Sequence, residues 1–375
     1  MNAYDFVWTV EKNGELVEKH ASLLNVAPDG TDELTLSYPL CEQENEADEF
    51  VLTLSLRLSK DTAWASAGYE VAYEQFVLPA KAAMPSVKAA HPALTVNQNE
   101  QTLTVTGTNF TAIFDKRKGQ FISYNYERTE LLASGFRPNF WRAVTDNDLG
   151  NKLHERCQTW RQASLEQHVK KVTVQPQVDF VIISVELALD NSLASCYVTY
   201  TLYNDGEMKI EQSLAPSETM PEIPEIGMLF MMNAAFDSLT WYGRGPHENY
   251  WDRKTGAKLA LHKGSVKEQV TPYLRPQECG NKTDVRWATI TNDQGRGFLI
   301  KGLPTVELNA LPYSPFELEA YDHFYKLPAS DSVTVRVNYK QMGVGGDDSW
   351  QAKTHPDYTL YANRSYTNTF TLKPL

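Results

Sequence analysis

The amino-acid sequence predicts an all-β protein: a large antiparallel sandwich preceded by a partial immunoglobulin-like β-sandwich. Three observations carry this. Short runs of alternating or β-branched apolar residues recur along nearly the whole chain, turn-forming pairs such as Asn13-Gly14 and Asp205-Gly206 separate them, and a proline- and alanine-rich stretch divides them into two groups. The second group holds too many strands for one open sheet, which rarely passes about 10, so two stacked sheets are expected.

The first domain is placed at residues 1–80. Phe6 to Val10, Glu33 to Tyr38, Phe50 to Leu58 and Tyr69 to Leu78 are its strand candidates, and Lys12-Asn13-Gly14 ahead of Glu15-Leu16-Val17 is a strong hairpin signal. Four or five strands fall short of the seven of an immunoglobulin-like sandwich. The chain enters strand-like sequence by Phe6, so the expectation is a domain entered partway. The stretch from Pro79 to Pro92, with three prolines, five alanines and no periodicity, reads as a linker, placed at 81–92.

Residues 93–375 form the second domain. Thr102 to Thr106, Phe110 to Phe114, Phe121 to Tyr124, Val178 to Leu187, Cys196 to Tyr203, Met208 to Ser213, Trp287 to Thr291 and Gly297 to Lys301 are strand candidates. Leu153, Cys157 and Trp160 share one helical face, which predicts a helix over Leu153 to His168, and Pro315 to Tyr321 predicts a shorter one.

Composition narrows the partners. The formal charge of −12 is spread without a basic block, so nucleic acid and anionic membranes are poor partners and a neutral ligand fits better. No apolar run reaches the ~18 residues of a membrane span, and no signal-peptide pattern opens the chain, leaving cytoplasm and periplasm both open. Cys41, Cys157, Cys196 and Cys279 have no paired spacing and read as free thiols, implying neither zinc nor a redox pair. The 8 tryptophans and 19 tyrosines suit sugar contact and large β cores equally.

Three stretches carry side chains able to do chemistry. In Gln341-Met-Gly-Val-Gly-Gly-Asp-Asp-Ser-Trp350, Gly343, Gly345 and Gly346 predict a tightly folded loop. Asp347 and Asp348 would stiffen it through Asx-type turns, and Trp350 would be either an aimed sugar platform or a core residue. Both readings stand at this stage. In Thr145-Asp-Asn-Asp-Leu-Gly150 the acids lack the continuation of a calcium loop, so they are taken to shape a loop with Gly150 as a hinge. In Trp241 to Arg253, Glu248 and Asp252 invite an acid–base reading, but pairing of both acids with Arg244 and Arg253 is preferred, since nothing in the spacing puts both acids on one site. Glu278, in a loop leading into a strand, and the lone His323 are the remaining candidates.

Together, Arg137-Pro-Asn-Phe-Trp-Arg-Ala-Val-Thr-Asp-Asn-Asp-Leu-Gly150, Tyr242-Gly-Arg-Gly-Pro-His-Glu-Asn-Tyr-Trp-Asp-Arg253, Pro276-Gln-Glu-Cys-Gly-Asn-Lys-Thr-Asp-Val-Arg-Trp287, Asn309-Ala-Leu-Pro-Tyr-Ser314 and Met342 to Trp350 resemble the C-terminal region, or the separate small subunit, of glycoside hydrolase family 2 β-galactosidases. The resemblance implies a galactose mutarotase-like supersandwich. It further implies that Trp350, with Asp347 and Asp348 in its loop, reaches the active site and stacks on the sugar or leaving group, and that a mobile loop starts at Gly150. Family members hydrolyse terminal β-galactosides with retention, using two glutamates ~5 Å apart on a barrel of ~250 residues. No such βα pattern occurs here, so the resemblance places those glutamates and the magnesium ligands on other polypeptide. The chain is then expected to be non-catalytic, a fragment or small subunit that partners a catalytic barrel domain or large subunit, binds β-galactosides and carries no cofactor or metal itself, in an enzyme expected to be oligomeric. Two competing expectations are a free-standing aldose epimerase using His323 as acid and Glu278 as base, and a plain carbohydrate-binding module.

Overall fold

A computed structural model of the chain describes residues 4–24, 26–27, 29–37, 48–79, 92–189 and 194–375. By internal contacts the chain divides into two units, Met1–Ala89 with Lys258–Leu261, and Ala90–Ala257 with His262–Leu375. The linker lies almost wholly outside the described residues, as does Cys41. No helix among the described residues is long and apolar enough to cross a membrane.

The smaller unit contains a four-stranded antiparallel sheet ordered Glu15–Leu23, Tyr4–Lys12, Phe50–Leu58, Glu70–Leu78. Its hairpin turns at Asn13 and Gly14, with φ of 54° and 85°, the positive pair that a two-residue hairpin turn of matching twist requires. Phe6, Trp8 and Val10 alternate inward and meet Phe50 and Leu52, and Leu36 packs on the edge of that cluster. The strand expected over Glu33 to Tyr38 is not found among its described residues, 33–37, although its apolar alternation still delivers Leu36 to the core. Alternation marks a half-buried surface, and a strand also needs a neighbour to complete its ladder.

The larger unit is a sandwich. One layer is a five-stranded antiparallel meander of Thr95–Gln98, Thr102–Thr106, Phe110–Asp115, Gln120–Tyr126 and Thr129–Glu130. The other runs Ser134–Asn139, Glu225–Asn233, Ser332–Gln341, Gly297–Leu311, Tyr366–Pro374, Met208–Pro216, Ala194–Tyr203, Phe180–Leu189, Gln167–Pro176. Lys282–Thr291 and Ser238–Gly245 branch from it through Gly297–Leu311. The layers meet where Phe114 and Phe121 of the meander stand edge-on to Tyr200 of the large sheet, ring centroids 5.8 and 5.3 Å apart.

Two elements of the larger unit also differ from expectation. The helix over Leu153 to His168 is two, Leu153–Arg156 and Gln158–Leu165, interrupted at Cys157, and Gln167 and His168 instead open a strand. The loop expected at Asp146–Gly150 is a short helix closed by a reciprocal capping box, in which Thr145 accepts from the Asp148 amide and Asp148 from the Thr145 amide. Cys157, Cys196 and Cys279 are free and buried.

Candidate functional site

The strand Ser332–Gln341 ends under a loop that has no helix or strand of its own up to Trp350, so its shape is set by what holds its backbone. Asp252 accepts from the Val344 and Gly345 amides at 3.1 and 2.7 Å. Asp348 Oδ1 accepts from the amides of Trp350, Gln351 and Ala352 at 2.9, 3.0 and 3.1 Å, the predicted Asx stiffening, and these three bonds hold its carboxyl below the usual range. Asp347 instead pairs with His355 at 2.8 Å. The glycines serve close approach and not handedness, for none of the three has positive φ. A Cβ on Gly343 would lie 2.7 Å from Thr354 and 2.8 Å from Asp252, and one on Gly346 2.9 Å from the Ala352 carbonyl.

A second segment, Arg142 to Asn151, lies against this loop. The guanidinium of Arg142 is fully buried and donates to the Met342 carbonyl, to the Gly343 carbonyl at 3.0 Å and to Asp148 at 3.0 and 3.3 Å. Burial alone would lower its pKa, but the adjacent Asp148, reinforced by Glu278 and Asp252, outweighs that and raises it, so the side chain stays charged. Asn147 donates to the Val344 carbonyl at 3.0 Å and Asn151 to that of Ala352 at 3.3 Å. Gly150 closes the contact: a Cβ there would fall 1.9 Å from the Ser349 carbonyl oxygen. Its glycine is therefore explained by a backbone crossing.

Trp350 stands on this anchored backbone with 78% of its surface exposed. It is not a core residue. At the foot of the loop a cavity of about 290 Å³ is lined by residues that include Asp146, Gln277, Tyr273, Val344 and Ser349. Asp146 holds its edge through Arg275 at 2.9 Å and Gln277 at 3.0 Å.

The remaining candidates have structural partners. Glu248 pairs with Arg253 at 2.7 Å and accepts from Thr271, Tyr273 and the Gly280 amide. Arg244 pairs with Asp284 rather than Asp252, at 2.6 Å. Glu278 is buried and accepts two bonds from Arg336, at 2.7 and 2.9 Å. The same guanidinium reaches Glu225 at 2.5 Å. His323 is half exposed and touches Asp322 and Tyr325. His323 and Glu278 share no hydrogen bond or ion pair, and Glu278 is committed to Arg336, so the acid and base expected of an epimerase are not brought together as a pair. Among the described residues no cluster of three or more His, Cys, Asp or Glu side chains could hold a metal. Sequence reasoning missed Arg142, Asn147 and Asp252 as anchors. The one available signal was a charged Arg142 inside the apolar run Phe140-Trp141-Arg142-Ala143-Val144.

Comparison with known proteins gives a consistent set of relatives. Residues 106–372 match the family described as "Beta galactosidase small chain", and residues 1–79 match "Beta-galactosidase, domain 4". A β-galactosidase from Priestia megaterium is 98% identical over all 375 residues, and one from Halalkalibacterium halodurans is 34% identical over 97% of this chain. The chain spans 36% of the length of each of these two relatives. Among solved structures, a galactose mutarotase related enzyme from Lactobacillus acidophilus aligns with 75% of this chain and 97% of its own at 10% identity and a TM-score of 0.37.

Proposed function

This chain belongs to the β-galactosidase family, as a small-chain or C-terminal part, and from that premise we propose that it is the non-catalytic part of a larger β-galactosidase, completing the sugar subsite of the active site. In this reading the acid/base and nucleophile glutamates of a retaining family 2 glycosidase, and its magnesium, sit on a catalytic barrel domain or large subunit. This chain contributes Trp350, laid against the apolar C–H face of the leaving group or an acceptor sugar. The observation that carries the reading is a large indole, exposed over 78% of its surface, on a loop held by buried or part-buried charged anchors. An exposed indole leaves its apolar faces free for the C–H face of a sugar, and the bonds to its loop's backbone hold them in place. Asp347 and Asp348 shape the loop in this scheme and Gly150 admits its backbone. The same reading places the complete enzyme as an oligomer acting on neutral β-galactosides, with no nucleic acid or membrane partner.

The test is direct. The purified chain, prepared from a host lacking its own β-galactosidase, should not hydrolyse an aryl β-galactoside, because that chemistry needs two positioned carboxylates. Turnover that co-purifies with the chain would sink the non-catalytic assignment.

A further inference from the structure

We propose that the buried Arg142–Asp148 pair is the positioning element of the Trp350 loop, tying that loop and the helix Asp146–Gly150 into one body so that the indole is presented in a single pose. Only the functional consequence rests on the sugar-platform reading above. Arg142 uses its planar fork on two elements at once: one side takes both carboxylate oxygens of Asp148, and the other takes the carbonyls of Met342 and Gly343, the first residues after the strand. Asp148 is shared too, since it also accepts from the Thr145 amide and so closes the helix's capping box. The same short segment then meets the loop at Val344 through Asn147, at Ser349 through Gly150 and at Ala352 through Asn151. Both ends of the loop are thus addressed from one side by a stretch of ten residues, Arg142 to Asn151.

An apolar replacement often substitutes for a buried ion pair without loss of stability. What it cannot reproduce is directed bonds to two particular carbonyls. Since most of the Trp350 side chain touches nothing, its pose is inherited from this backbone. Arg142 and Asp148 accordingly act on the sugar through Trp350.

The experiment uses a full-length β-galactosidase carrying this segment, labelled with 5-fluorotryptophan, the Trp350 resonance being assigned by its loss in Trp350→Phe. Arg142→Lys, which keeps the charge and loses the fork, should broaden or split that resonance and lower the ratio of transfer to hydrolysis by about fivefold to tenfold. Adding Arg142→Lys to Trp350→Ala should cause no further fall in that ratio, because the two act in series. Gly150→Ala displaces Ser349 at the other end of the loop without removing the ion pair, and should also broaden the resonance, which keeps the test intact where Arg142→Lys does not fold. A Trp350 resonance unchanged in the variants, or losses that add in the double variant, would overturn the proposal. Broadening accompanied by an unmoved ratio in every variant, Trp350→Ala included, would uphold the clamp and remove the platform reading.

Discussion

Replacing Trp350 by alanine separates the platform reading from a packing role, because the two roles predict losses of different kind and size. Less than a quarter of the residue is covered, which for an aromatic side chain is roughly 50 Å² and, at ~25 cal/mol per Å², about 1 kcal/mol of folding stability. A sugar face laid on the exposed indole removes about 80 Å² from water, which at the same coefficient is about 2 kcal/mol, or roughly 30-fold in affinity. Trp350→Ala should therefore shift the urea midpoint of the protein slightly, while weakening leaving-group or acceptor-sugar binding by about 10- to 30-fold. The assay is partition between transfer and hydrolysis by the full-length enzyme at rising acceptor concentration. Transfer should suffer more, since water needs no platform, and ligands resembling galactose alone should be weakened much less. Trp350→Phe should restore part of the loss. A destabilisation of several kcal/mol, or equal weakening of every ligand, would refute the reasoning.

Two further outcomes follow from the buried charges of the larger unit. Arg336→Met leaves the buried Glu225 and Glu278 without their shared cation and should cost about 3–5 kcal/mol, read from urea unfolding. A cost below about 1 kcal/mol would mean that water or a rearranged side chain reaches them. Among the described residues Glu307 has no arginine ion pair, and burial raises its pKa to about 7 against the opposing bonds from the Gln341 amide and Asn281. A carboxyl with a raised folded pKa contributes stability that is fully present below its unfolded value and is lost as pH rises through the folded one. Stability should therefore decline by up to about 3 kcal/mol between pH 4.5 and 7 from this group, and Glu307→Gln should flatten that segment of the profile. An identical pH profile in the variant would assign the titration elsewhere.

Much of the fold is legible in local pattern. Phe50–Leu58 and Thr102–Thr106 alternate or carry β-branched residues and form strands with the expected bounds. The Asn13-Gly14 turn also needs nothing beyond its own backbone preferences. Among the strands that local pattern misses are Glu225–Asn233 and Ser332–Gln341. Glu225–Asn233, next to the edge strand Ser134–Asn139, is buried on both faces along most of its length, so alternation disappears there, whereas Ser332–Gln341 does alternate its valines with polar residues but carries those polar residues, Arg336, Asn338 and Gln341 among them, inward. A buried arginine is unreadable from sequence because its acceptors, Glu225 and Glu278, lie 111 and 58 residues away.

The same division runs through the candidate site. Sequence by itself determined that residues 341–350 form a tight glycine loop, that its acid pair stiffens it, a role the structure gives to Asp348 and not Asp347, and that Trp350 is its one aromatic side chain, since each of these is a property of neighbouring residues. It left open whether the indole turns inward or outward. Tertiary structure decided that, through Arg142 about 200 residues upstream and Asp252 about 90 upstream, which grip the loop's carbonyls and amides from beneath. A side chain's direction on an irregular loop is set by whichever distant groups satisfy the loop's backbone, and only the folded chain brings those groups together.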